Sequence, residues 1–98
     1  MKINLIKYGS VISDQQVGDQ IYKEIKSFIV LHKKCVIDFT DVKSMATFNA
    51  KQIFGSLYLE LGSETFFNQI EIQKASNDLK LIIRLGIQSA VEDSISAK

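Results

Sequence analysis

The sequence predicts a single small α/β domain, β-α-β-α-β-α, on a mostly parallel sheet. Three observations carry that expectation. Short β-type runs alternate with stretches of helical periodicity. Val36-Ile37-Asp38-Phe39 is nearly continuous in apolar character, as a strand covered on both faces would be. Ala50, Ile53, Phe54, Leu57, Tyr58 and Leu61 recur at i, i+3, i+4, i+7, i+8 and i+11, the strongest helical period in the chain. Its 98 residues, 46% of them apolar, make one domain with material for a core. A chain this short gains only modest stability from burial.

Taken in order, Lys2–Lys7 reads as a strand, with Ile3 and Leu5 on one face and Ile6 intruding on the other. Tyr8-Gly9-Ser10 is a turn, and Val11-Ile12 adds a short extension. Ser13 stands as N-cap with Gln16 three residues later, a capping-box spacing, and Asp14 complements the helix dipole. Val17, Ile21, Ile25, Phe28 and Ile29 then form one stripe, predicting a helix over about 14–31. Gly18 inside it costs about 1 kcal/mol relative to Ala unless another backbone packs there. Cys35–Phe39 is the most apolar strand and is placed at the centre of the sheet.

A polar loop, 40–46, precedes the 47–61 helix, which Gly62 ends in a left-handed conformation. Phe66–Ile72 contains the third strand, with Ile70 and Ile72 alternating against Glu71 and Gln73. Ser76-Asn77-Asp78 offers caps to a last helix whose stripe is Leu79, Ile82, Ile83, Ile87, Ala90 and Val91. Gly86 falls on that stripe and marks either a close helix contact or a break. The tail 94–98 is expected to fray.

Composition narrows the function. Charged residues are 23% of the chain and the net charge is +1, which gives no general pull toward nucleic acid or anionic membrane. One cysteine admits no internal disulfide, so a reducing compartment is expected. The segment 1–7 lacks the continuous apolar core of a signal peptide, and no run of eighteen apolar residues occurs. A cytoplasmic protein follows, with no membrane partner. The glycines are isolated, so no phosphate-binding loop forms, and no serine-hydrolase elbow is present. His32 and Cys35 alone cannot complete a zinc site. No cofactor is expected, and nothing in the sequence assembles a catalytic constellation.

Polar groups instead gather where the central strand ends and the 47–61 helix begins, the end at which open α/β sheets carry their sites. Asp38 and Asp41 read first as a loop-binding carboxylate and a solvated one, and otherwise as a pair able to hold Mg²⁺ or move a proton. Thr47 reads first as the N-cap and otherwise as a phosphoacceptor, with Ser44 behind it. Met45 and Phe48 either close the top of the core or present an apolar contact to a partner.

The stretch from Val36 to Phe54 carries a resemblance: a hydrophobic strand ending in Asp38-Phe39, the acidic-valine turn Asp41-Val42, the step Thr47-Phe48, and an amphipathic helix. In these features it resembles the STAS-like family of small bacterial and phage proteins, a domain of unknown function. The wider relatives are the STAS domains of anti-sigma factor antagonists, in which an Asp-Ser-Ser-Gly segment opens the corresponding helix and one serine is phosphorylated. Here that segment is Ala46-Thr47-Phe48-Asn49. Ala46 replaces the acid, Phe48 falls at the phosphorylated serine, Asn49 replaces the glycine, and Thr47 keeps a hydroxyl one place early. The resemblance implies a STAS-like fold and a protein partner, since family members often accompany histidine-kinase-like ATPases.

The expectation is therefore a non-enzymatic regulatory interaction domain, monomeric or weakly homodimeric. Its contact surface is Asp38, Thr40, Asp41, Ser44, Met45, Thr47, Phe48 and Asn49. The alternative is a small-ligand or nucleotide-binding module using the helix N-terminus at Thr47 as an anion site. Exposed sheet edges leave self-pairing open.

Overall fold

A computed structural model describes residues 2–96 of the chain. Its elements are β1 (Lys2–Asn4), a 3₁₀ turn (Leu5–Tyr8), β2 (Val11–Ile12), α1 (Gln15–His32), β3 (Cys35–Asp38) and β4 (Ser44–Met45). There follow α2 (Thr47–Ala50), a π-helical turn (Lys51–Gly55), α3 (Ser56–Leu61), α4 (Ser63–Gln69), β5 (Ile70–Gln73) and α5 (Asn77–Ser96). The predicted β-α alternation and parallel sheet hold. The main sheet runs β1-β3-β5, all parallel, with β3 in the centre as its composition required. A second, two-stranded parallel ladder joins β2 to β4.

Register shows how the sheet divides inside from outside. Ile3, Ile37 and Ile72 stand in one row, and Ile3 and Ile37 are fully buried. The neighbouring rows are Lys2, Val36, Glu71 and Asn4, Asp38, Gln73. Side chains alternate across a strand, so these polar rows face the other way. The sheet is thus packed on one face only. The central strand is not covered on both faces as expected: its apolar run is interrupted by Asp38, and Val36 is only half-buried. The core is one cluster in which Ile21, Ile25 and Ile29 of α1, Ile53, Phe54 and Leu57 of the middle helix (the continuous run 47–61 formed by α2, the π turn and α3), and Leu79 and Ile83 of α5 meet the inner row.

Several local expectations are corrected. The first strand ends at Asn4 and not at Lys7, because a 3₁₀ turn follows; that turn still buries Leu5 and turns Ile6 outward. Asp14, not Ser13, caps α1: its Oδ1 accepts from the Gln16 amide at 2.7 Å, so the helix starts one residue later than the capping-box spacing implied. The 40–46 segment is not wholly loop, since Ser44–Met45 pairs with Val11–Ile12. The third strand lies where Ile70 and Ile72 alternate, but Phe66 and Phe67 before it form a helix that the sequence did not announce. They belong to α4, where Phe66 packs edge-on against Tyr58, and only Ile70–Gln73 is extended. Their β-favouring composition gave way to aromatic packing.

Gly62 does stop the preceding helix at φ +83°. At Gly86, α5 does not break. It passes so near the middle helix that a Cβ there would lie 2.6 Å from the Ala50 carbonyl carbon and the Lys51 amide nitrogen. No fraying begins at Ser94, because α5 continues to Ser96; 97 and 98 lie outside the described residues.

Candidate functional site

The chain leaves β3 at Asp38, beside the ends of β1 and β5. Asp38 is buried, yet its carboxylate is satisfied: Oδ1 accepts from the Thr40 amide at 2.7 Å, and Lys2 Nζ lies 2.9 Å from Oδ2. Hydrogen bonding from Thr40 first, and from Lys2 second, holds this carboxyl well below the usual carboxylate range. Because the folded pKa is depressed, Asp38 stabilises the fold above the unfolded carboxylate value of about 3.9, and that contribution fades as pH falls below it. Asp38→Asn should lower the melting temperature at neutral pH and flatten the acid side of the stability–pH curve; melts at a series of pH values check this.

The loop beyond is fastened to the 10–12 segment. Val42 donates to the Phe39 carbonyl at 2.9 Å and closes a turn in which Asp41 takes φ +66°. Lys43 donates to the Ser10 carbonyl and Ala46 to the Ile12 carbonyl, both at 2.7 Å. The Ala46 bond keeps the chain extended through Ala46, which becomes the N-cap without a side-chain bond. Thr47 is therefore the first helical residue and not the cap; its side chain is exposed.

The predicted surface splits. Thr40, Asp41, Thr47 and Phe48 are exposed, and Ser44 is half-buried. Asp38, Met45 and Asn49 are buried and offer a partner nothing directly, which corrects their assignment as contact residues. Met45 closes the core, while Phe48, 51% exposed, does not. Asn49 has a structural task instead. Its Nδ2 donates to the Asp14 carbonyl at 3.0 Å and to Gln52 Oε1 at 3.1 Å, and Gln52 Nε2 donates to the Gln15 carbonyl at 2.9 Å. These bonds hold the first turn of α1 against the middle helix. Gly18 makes room for them, since a Cβ there would collide with the Gln52 and Asn49 amide groups.

This clamp shapes an open groove of about 580 Å³ beside Phe48, lined also by Gln15, Lys51, Gln52, Leu59 and the α5 residues Ala90 and Asp93. Lys51 pairs with Asp93 across it. The sequence reading missed the groove. Its one visible signal was Leu59, an apolar residue off the buried stripe.

Cys35 is fully buried, and burial followed by the nearby Glu24 charge pushes its thiol up to about 11, so no thiolate nucleophile forms. Among the described residues, no three His, Cys, Asp or Glu side chains gather as a metal site. None of their helices is long and apolar enough to cross a membrane.

The one-sided parallel sheet, the strand ending in Asp38 and the helix that opens beside it define a small α/β domain of STAS type. The model of the STAS-like domain of unknown function (DUF4325) matches residues 16–80, well over half of the chain. The chain belongs to that family. No curated protein and no solved structure gives a significant match.

Proposed function

We propose that this protein is a non-enzymatic regulatory domain that binds a protein partner through the rim formed by Thr40, Asp41, Thr47 and Phe48, together with the adjoining groove. The observation that carries this reading is Phe48: a half-exposed aromatic ring at the start of the middle helix, beside a groove lined also by Leu59 and Ala90 among polar side chains. Exposed aromatics bordered by polar groups are the usual anchors of protein interfaces. The rim is stapled by backbone bonds to the 10–12 segment, so little ordering is needed on binding. Resemblance to the STAS domains supports a kinase-like ATPase as the partner.

A stable complex buries on the order of 1,200–2,000 Å² in total, more than four side chains supply, so the flanks of the middle helix and α5 must join. The double substitution Asp41→Lys, Phe48→Ala should abolish capture of the ATPase while the domain stays folded, at a cost of about 1–2 kcal/mol, because Lys is strained at the φ +66° of Asp41 and about half of the Phe48 ring is covered. Undiminished capture contradicts the surface. A melting-temperature rise on adding nucleotide alone, lost in Thr47→Glu, would favour the small-ligand reading instead.

A further inference from the structure

We infer that the outer face of α5 is a homodimer interface on which a second copy of this chain lies antiparallel, about a two-fold axis near Gln88. Besides its core face, the helix exposes three large apolar side chains set among polar ones. Leu79, Ile83, Gly86 and Ala90 face the core. Successive residues turn by about 100°, so Leu81, Gln88 and Ile95 form a second row on the opposite side, flanked by Leu85. Leu81, Leu85 and Ile95 are 50%, 42% and 66% exposed. Scattered surface leucines need no explanation; here Leu81 and Ile95 fall in line, seven residues to either side of Gln88, with Leu85 beside them.

The occupant is read from charge. The first half of α5 carries Lys80 and Arg84, and the last turns carry Glu92 and Asp93, with no basic residue in the last turn. Among the described residues of α5, only Asp78 stands on the side that the helix dipole favours. The rest run against the dipole, basic toward the N-terminus and acidic toward the C-terminus. An antiparallel neighbour of identical sequence offsets that arrangement. An axis at Gln88 sets Leu81 level with Ile95 of the second copy, Leu85 level with its Val91, and Arg84 level with its Glu92. The surface is thereby complementary to itself, as an isologous contact requires. A net charge of +1 opposes association very little. Asp93 turns toward Lys51, so the dimer leaves the Phe48 groove open, and this inference does not depend on the proposed partner surface.

One helix pair is smaller than a standard interface, so the dimer is concentration-dependent. Sedimentation velocity of the purified chain over a concentration series, up to the millimolar range, tests it. The expected result is a monomer–dimer equilibrium that Ile95→Lys weakens about tenfold or more. Arg84→Glu and Glu92→Arg each weaken it, and mixing these two variants restores dimerisation, because only the mixed pair has opposite charges at both ends. All three positions are exposed, and circular dichroism melts confirm that each variant is folded. A monomer at every concentration overturns the inference. So does a dimer indifferent to these substitutions, which would place the contact on a sheet edge or at Val30 and Leu31, and so does a mixture that fails to associate.

Discussion

Gly86→Val leaves the domain largely unfolded, and Gly86→Ala lowers its melting temperature by about 5–20 °C. The sign is what makes the second result informative. In an ordinary helix interior, replacing Gly with Ala stabilises by about 1 kcal/mol. Here the new Cβ meets backbone atoms, the Ala50 carbonyl carbon and the Lys51 amide nitrogen, each 2.6 Å away. Backbone cannot rotate aside as a side chain can. The two helices must separate, and the loss of packing costs about 1–3 kcal/mol or more. Small domains hold roughly 5–15 kcal/mol in total, so the bulkier Val exhausts much of it. Thermal melts followed by circular dichroism give both values. A melting temperature raised by Gly86→Ala would mean that α5 does not lie against the π turn.

Ile53→Asp should abolish folding at neutral pH. Ile53 is fully inaccessible, inside the cluster that joins all three long helical segments to the sheet. An aspartate there is either ionised without a partner or protonated at a cost, and it loses the isoleucine's packing as well. An unpaired buried charge alone costs about 3–5 kcal/mol. At about 4–8 °C per kcal/mol for a chain of this size, no folded baseline should remain. A dispersed amide spectrum from Ile53→Asp would contradict the placement of the middle helix.

The amphipathic stripes were legible because they rest on periodicity, and the central strand because it is a short, nearly continuous apolar run. Ile53, Leu57, Leu79 and Ile83 are buried where their spacing put them. Other features depend on contacts between distant segments. Nothing local in Phe66-Phe67 distinguishes a strand from a short helix packed on Tyr58. Val11-Ile12 and Ser44-Met45 are each too short to signal a ladder until the fold brings them side by side. The open face of the sheet was hidden because Val36 looked like a core residue, although Lys2 and Glu71 share its row.

At the candidate site, the meeting of the β3 end with the start of the next helix was readable, and which side chains face outward was not. Thr47, Phe48 and Asn49 are neighbours in sequence. The bond from Ala46 to Ile12 makes Thr47 the first helical residue, which turns Phe48 outward and Asn49 in against α1. The groove needs Leu59 and Asp93, which no local pattern could bring to Phe48.

The proposed function stands or falls on whether the rim at the end of β3 receives a protein partner. Amide chemical-shift mapping of the labelled chain, titrated with the kinase-like ATPase, tests it most directly. Shifts and broadening are expected at Thr40, Asp41, Thr47, Phe48, Lys51 and Leu59, with the open sheet face undisturbed. Perturbations centred on Lys2, Val36 and Glu71, or a spectrum that does not change at saturating partner, would contradict it.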